Sequence, residues 1–200
     1  MSGITNVLIV GVGGQGVILA SAILSQAAME AGHDTKQSEV HGMSQRGGTV
    51  SSHVRFGPKV WSPMVPEGEA QVLLAFERAE ALRAAHLVAP GGTVIVNRQS
   101  IIPPIASGKK FSYPEDPVGE LRGRVERVVE IDALGECKKL GNEKMVSVLL
   151  LGALSVNLEF PAAIWEKIIR SRVPKGTEDG NLAAFARGAE LATQAVAAGE

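Results

Sequence analysis

Apolar runs and helical periodicity alternate along the first part of the chain. Residues 7–10 are continuously apolar, which is typical of a strand covered on both faces. The segment from Gly14 to about Ala31 is apolar nearly all round, so it predicts a buried helix, which Gly32 ends. Residues 35–40 predict a second strand. A strand–helix–strand unit of this length is expected to be parallel and right-handed.

The rest of the pattern predicts four more strands and a helical C-terminal part. The strands are residues 49–57, 72–76, 93–97 and 127–132. Between them the pattern predicts a charged helix near residues 77–87, a turn at residues 89–92 and an irregular excursion over residues 103–117. Helices are predicted at residues 133–140, 142–157, 161–172 and from Glu178 to the end. We therefore predict an α/β fold in a single domain over residues 1–200, with three α/β/α layers, a mostly parallel central sheet and a Rossmann-like start.

Composition excludes several classes of function. The net charge is −1, and aromatic residues are few, with two Trp, one Tyr and five Phe, so nucleic acid is not an expected partner. Cys137 is the only cysteine, whereas an iron–sulfur cluster usually needs about four. The absence of an internal disulfide suits a reducing, cytoplasmic compartment. Residues 7–24 are apolar but interrupted by glycines and Gln15, so we expect no membrane contact.

Two charged groups have alternative interpretations. Lys138 and Lys139 beside Cys137 could lower the pKa of its thiol, although a bystander thiol on a helix is the simpler interpretation. Acidic and basic side chains in the predicted helix near residues 77–87 are spaced as one helix face, for which contact with solvent or another subunit is an adequate explanation. These side chains are Glu77, Arg78, Glu80 and Arg83.

A glycine-rich turn follows the first predicted strand. The stretch "NVLIVGVGGQGVILAS" fits the spacing G-x-G-x-x-G, and the following helix N-terminus favours an anion. The candidate anion-binding residues are Gly11, Gly13, Gly14, Gln15 and Gly16. Glu39 lies roughly where a dinucleotide fold places an acid for the ribose, so an autonomous NAD- or FAD-binding reductase is one hypothesis. The other is that the glycines only let the helix pack, because "VHGMSQRGG" follows Glu39 in place of a second helix.

The stretch "SEVHGMSQRGGTVSSHVRFG" at residues 38–57 is more specific than the turn. With "GVGGQGVILAS" before it and "ERAEALR" after it, it resembles the gamma-type domain of 2-oxoacid:ferredoxin oxidoreductases. The sequence of this stretch is most similar to the small (beta) subunits of the indolepyruvate ferredoxin oxidoreductases. Later segments agree in order, namely "PGGTVIVN", "NEKMVSVLLLGAL" and "VPKGTEDGNLAAFARG". The resemblance covers nearly the whole chain.

The resemblance implies a subunit that is not active alone. The family oxidatively decarboxylates 2-oxoacids with coenzyme A to acyl-CoA and passes electrons to ferredoxin, using thiamine diphosphate and [4Fe-4S] clusters. In the indolepyruvate enzymes these cofactors belong to the large partner subunit. This chain fits that division, because it has one cysteine and no Gly-Asp-Gly…Asn thiamine motif; the nearest string is "EDGN" at residues 178–181. Whether the isolated chain forms a homodimer stays open.

The loop after Glu39 supplies the candidate site. Its small residues leave backbone N–H groups open, and Arg46 offers a planar cation suited to carboxylate or phosphate. His41 and Arg46 are the catalytic candidates, and the residues expected to contact substrate, coenzyme A or the partner are Gly42, Met43, Ser44, Gln45, Arg46, Gly47, Gly48, His53 and Arg55. The alternatives are structural ion pairs for the arginines and a buried ring for His41. No metal site is expected.

Overall fold

The continuous apolar runs form the inner strands of a six-stranded sheet. The computed structural model describes residues 3–42, 48–102 and 112–198. Its strands are β1 (Thr5–Val12), β2 (Asp34–His41), β3 (Thr49–Gly57), β4 (Ala70–Ala75), β5 (Val88–Asn97) and β6 (Arg127–Ile131). Their order in the sheet is β2-β3-β1-β4-β5-β6.

Strand direction confirms the mostly parallel sheet, with one exception. β1 pairs in parallel with β4, and β4, β5 and β6 continue in parallel, whereas β3 is antiparallel to both of its neighbours. β2 therefore runs in the same direction as β1, as expected, but β3 lies between them. Since β2 and β3 are joined by only a short segment, they pair as a hairpin does, and it is the hairpin's second strand that docks on β1.

Helices cover both faces of the sheet, which confirms the three-layer α/β/α architecture. The helices are α1 (Val17–Glu30), α2 (Arg78–Ala84), α3 (Pro117–Arg122), α4 (Ala133–Lys139), α5 (Val146–Ser155), α6 (Ala162–Arg172) and α7 (Glu178–Ala198). One apolar core joins the sheet to α1 and α4–α7, and a second core joins the opposite face to α2 and α3. None of the helices within the described ranges is long and apolar enough to cross a membrane.

Two local predictions need correction. Residues 89–92 lie inside β5 and form no turn between elements. They form an irregularity in the strand: Gly91 has a φ of +73°, and the pairing of β4 with β5 shifts register there. A Cβ added at Gly92 would lie 2.9 Å from the carbonyl oxygen of Ala70, so this glycine permits close approach of the strands. Pro117, the last residue of the predicted irregular excursion, begins α3, a helix that the pattern did not predict. Asp116 caps it by accepting a hydrogen bond from the N–H of Gly119. Residues 103–111 lie outside the described residues.

Two glycines let the long C-terminal helix pack closely. A Cβ added at Gly152 of α5 would collide with the carbonyl oxygen of Phe185, and one added at Gly188 of α7 would collide with that of Leu149. Both helices belong to the core on the α1 face of the sheet. The close contact between α5 and α7 therefore requires residues without a Cβ at these two positions.

Candidate functional site

A cleft opens at the carboxyl end of β1. It has a volume of about 530 Å³ and is enclosed by the glycine turn, the start of α1 and the facing ends of β2 and β3. The lining residues are Val12, Gly13, Gly14, Gly16, Val17, Ile18, His41, Gly42, Thr49 and Val50. Open α/β sheets bind ligands outside the carboxyl ends of their parallel strands, so this is the expected edge for a site.

The glycines of the turn have separate mechanical roles. Gly14 and Gly16 have φ values of +96° and +91°, in the left-handed region that favours glycine. A Cβ added at Gly16 would lie 2.9 Å from Cβ of Ser147, so this residue lets α1 begin against α5. Gly16 gives α1 no side-chain cap. Gly16, Val17 and Ile18 line the cleft, and the first N–H groups of an α-helix have no partner within the helix.

Gln15 fastens the turn to the sheet. Its Oε1 accepts a hydrogen bond from the N–H of Val12 at 2.7 Å, and its Nε2 donates to the carbonyl oxygen of Phe76 and to Oε1 of Gln99, both at 3.0 Å. The backbone N–H of Gly13 donates to Gly48, and that of Gln15 donates to Val12. These intramolecular bonds occupy the Gln15 amide, a candidate anion donor, and tie the turn to the segments that follow β4 and β5.

His41 lies at the cleft with a carboxylate beside it. Its side chain is 49% exposed, so the buried-ring interpretation is wrong, and its Nε2 lies 3.5 Å from Oε2 of Glu39. Glu39 also accepts a hydrogen bond from Nε2 of Gln37 at 2.9 Å. Because β3 separates β2 from β1, Glu39 lies two strand spacings from β1, about 10 Å away. A dinucleotide fold needs its ribose-binding acid on the strand next to β1.

The ends of the glycine-rich loop meet beside the cleft. The N–H of Gly42 donates to the carbonyl oxygen of Thr49 at 2.9 Å, and the carbonyl oxygen of Gly48 accepts from Gly13 at 2.9 Å. The loop is thus fastened to the glycine turn that encloses the cleft. The predictions for Met43, Ser44, Gln45, Arg46 and Gly47 concern residues outside the described ranges.

The structure separates His53 and Arg55 from the cleft. His53 is buried, its Nδ1 accepts a hydrogen bond from the N–H of Val65 at 3.1 Å, and burial lowers its pKa. Arg55 donates to Oδ1 of Asn6 at 2.7 Å and to two carbonyl oxygens of the following loop. It lies six residues along β3 from Thr49, roughly 20 Å away at about 3.3 Å per residue. Both side chains therefore hold the segment that follows β3 in place by hydrogen bonds to its backbone.

Two carboxylates at the start of α2, those of Glu77 and Glu80, are buried, although sequence reasoning expected them to face solvent or another subunit. Glu77 is 1% exposed and accepts hydrogen bonds from the N–H groups of Glu80 and Ile101 and from the hydroxyl of Tyr113. Burial is the main cause that raises the pKa of Tyr113 to about 12. Glu77 is the N-cap of α2, and its place between a predicted strand and a predicted helix was the signal available in the sequence.

Glu80 contacts the cleft lining through Thr49. It is buried, it is paired with Arg83, and its Oε1 accepts a hydrogen bond from Oγ1 of Thr49 at 3.4 Å. Burial raises the pKa of its carboxyl group. The prediction that Glu77 and Glu80 lie on a solvent or subunit face is therefore wrong.

Cys137 is a bystander thiol. It is buried, and burial raises its pKa to about 11, so the neighbouring lysines do not activate it. Within residues 3–42, 48–102 and 112–198, no group of three or more His, Cys, Asp or Glu side chains could hold a metal ion.

The mixed sheet, the glycine turn and the cleft define a three-layer α/β domain with its candidate site at the carboxyl edge. Residues 6–191 match the model of the family described as "Pyruvate ferredoxin/flavodoxin oxidoreductase", and the chain belongs to that family. It is 40% identical to the indolepyruvate oxidoreductase subunit IorB of Archaeoglobus fulgidus over 187 residues, which are 92% of each chain. It is also 40% identical to that of Thermococcus kodakarensis over 196 residues, covering 94% of this chain and 96% of the relative.

A solved structure agrees with the fold. The gamma subunit of a keto/oxoacid ferredoxin oxidoreductase from Geobacter sulfurreducens superimposes with a TM-score of 0.71 at 24% identity, covering 95% of this chain and 99% of the other. The resemblance, the fold class and the assignment to a small subunit of a 2-oxoacid:ferredoxin oxidoreductase are confirmed. Neither the comparisons nor the contacts of Gln15 and Glu39 support the NAD or FAD hypothesis.

Proposed function

We propose that this chain is the subunit without redox cofactors of an indolepyruvate or arylpyruvate:ferredoxin oxidoreductase. A large partner subunit supplies the thiamine diphosphate and [4Fe-4S] clusters, coenzyme A accepts the acyl group, and ferredoxin accepts the electrons. The aryl substrate is supported by the names of the relatives that are 40% identical over nearly the whole chain.

The observation that carries the proposal is the cleft between the glycine turn and the anchored ends of the loop. His41 borders this cleft, and Gly42 and Gly48 hold the loop ends by hydrogen bonds to Thr49 and Gly13. We propose that Arg46, together with the loop amides, binds the carboxylate of the oxoacid or a phosphate of coenzyme A at the junction with the partner. An arginine fork and backbone N–H groups suit either anion.

The test uses the complex coexpressed with its large subunit. Purified complex is expected to reduce a viologen dye when arylpyruvate and coenzyme A are both present, and the isolated small chain is expected to be inactive. Failure of any thiamine- and cluster-bearing subunit to copurify would contradict the proposed function, as would turnover by the isolated chain.

Arg46→Ala tests the loop within that complex. Loss of a charge-assisted hydrogen bond is expected to lower kcat/KM for the oxoacid or coenzyme A by about 10- to 100-fold while the complex still assembles. Arg122→Ala, on the exposed last turn of α3, is the matched control and should leave kcat/KM unchanged. Normal turnover by an assembled Arg46→Ala complex would make the loop purely architectural.

A further inference from the structure

A tryptophan lies almost fully in solvent on the loop that follows β3. We call residues 58–66 the Trp61 loop. Trp61 is 85% exposed and Met64 is 44% exposed, whereas Val60 and Val65 are buried. Burial stabilises a fold in proportion to the apolar area removed from water, so this indole contributes little to the stability of the chain itself.

The loop is nevertheless held in place by side chains from the sheet. The N–H of Val60 donates to Oδ2 of Asp34 at 2.9 Å, and the N–H of Val65 donates to Nδ1 of His53 at 3.1 Å. Between these points, Nη1 of Arg55 donates to the carbonyl oxygens of Ser62 and Met64, both at 3.0 Å. The backbone on both sides of Trp61 is therefore fixed.

Two buried polar residues, His53 and Asn6, support this anchoring. Arg55 is oriented by Oδ1 of Asn6 at 2.7 Å, and Nδ2 of Asn6 donates to the carbonyl oxygen of Glu69 at 2.9 Å. Asn6 is 3% exposed and His53 is 6% exposed. Burial of polar groups costs free energy unless they are paired, and here their hydrogen-bond partners include the loop backbone and Arg55, which binds the loop. A preorganised loop loses little entropy when it binds, so the arrangement favours association.

Charge beside the indole indicates what the loop binds. Lys59 is the only ionisable residue of the Trp61 loop, and its Nζ lies 4.9 Å from the centroid of the Trp61 ring. The carboxylate that it approaches, Asp34 at 3.7 Å, is shared with Lys36. Two lysines thus share one acid, which leaves a positive charge next to an exposed aromatic ring. The complementary surface is an apolar pocket with a carboxylate at its rim.

We propose that the Trp61 loop is a docking site for the large partner subunit, with Trp61 inserted in such a pocket and Lys59 paired with the acidic rim. Tryptophan is enriched among residues that dominate binding energy, especially where neighbours exclude water. The loop lies at the opposite end of β3 from the cleft, so this contact is separate from the candidate site. The inference rests on the proposed function, which supplies the partner.

The experiment measures the affinity between purified small chain and purified large subunit, by surface immobilisation of the large subunit. Trp61→Ser is expected to raise Kd by about 30-fold or more, and Trp61→Phe to restore most of the affinity. Lys59→Glu is expected to raise Kd about tenfold and to reduce its salt dependence. The control is Val196→Ser on α7, which removes a side chain that is 65% exposed and should leave Kd unchanged.

The outcomes separate this inference from the proposed function. An unchanged Kd for Trp61→Ser overturns the docking site, while dye reduction by the complex leaves the proposed function standing. Self-association of the isolated chain that Trp61→Ser abolishes, with Kd for the large subunit unchanged, assigns the loop to a second copy and also overturns it. If the wild-type chains do not associate, both proposals fail. Unfolding midpoints in urea equal to wild type show that the variants are folded, since Trp61 is exposed.

Discussion

His53 shows how a titratable side chain can serve as a fixed hydrogen-bond acceptor. Its Nδ1 receives the N–H of Val65, which requires the neutral ring with that nitrogen unprotonated. Burial lowers the pKa of the ring, which favours the same state. The loop that carries Trp61 is therefore anchored by a group that protonation would turn from acceptor to donor.

We predict that His53 makes the free energy of unfolding depend on pH. Its folded pKa lies below the ordinary value of 6.5, so the unfolded chain takes up the proton first. The stability it contributes is complete above about pH 6.5 and is lost as the pH falls through the lowered folded value. Urea unfolding between pH 7.5 and 5 should show a decline that His53→Asn, which retains an acceptor, reduces.

The control for this prediction is His86→Asn, a substitution at an exposed histidine outside the Trp61 loop. It should leave the decline with acid as steep as in wild type. A decline equally steep in His53→Asn would mean that another group controls it.

Long-range partners explain what the sequence leaves open about single residues. The loop after Glu39 could be chosen as a candidate site from its residue types, but only the structure shows that His41 and the glycine turn line one cleft. The partners of Gln15 and Asn6 lie more than 60 residues away, at Phe76 and Glu69, so residue type and local spacing do not identify them. For the same reason Glu77 was expected in solvent, although Ile101 and Tyr113 come together over it.

At the scale of elements, the turn from β1 into α1 contains two glycines that differ in one respect. Gly14 and Gly16 both have left-handed φ values. A Cβ added at Gly14 would meet nothing within 4 Å, whereas one added at Gly16 would lie 2.9 Å from Cβ of Ser147. An alanine at Gly14 would therefore cause backbone strain alone, whereas an alanine at Gly16 would cause backbone strain and a side-chain clash.

We predict that Gly14→Ala lowers the free energy of unfolding by about 1–2 kcal/mol through backbone strain alone. Gly16→Ala should cost roughly 1–3 kcal/mol more, because α1 or α5 must shift to admit the methyl group. Urea unfolding of the two variants measures the difference. Equal losses would show that the contact between α1 and α5 relaxes freely.

Sequence pattern predicted most elements because each carries its own periodicity, but not how the elements pair. β3 alternates as expected, yet nothing local distinguishes a strand beside β2 alone from one inserted between β2 and β1. The "APGG" segment has turn composition, and only its neighbour β4 shows that Gly91 and Gly92 serve a strand irregularity. The Asp116–Pro117 signal for α3 was available, because Asp is a favoured N-cap and Pro a favoured first residue.

At the scale of the molecule, strand insertion decides what the glycine turn can bind. A dinucleotide fold uses an open crevice beside β1 and an acid on the adjacent strand. Here the Gln15 amide is bonded to Phe76 and Gln99, and β3 moves Glu39 one strand further from β1. The cleft is lined by the glycine turn and by the facing ends of β2 and β3.

We predict that the isolated chain binds neither NADH nor FAD. Titration followed by fluorescence should give no saturable change up to about 1 mM, the upper end of ordinary KM values. Gly13→Val is the matched variant, since Gly13 lines the cleft. Saturable micromolar binding by the wild type that Gly13→Val abolishes would contradict the prediction. It would mean that the hydrogen bonds of Gln15 to Phe76 and Gln99 do not prevent a pyrophosphate from reaching the glycine turn.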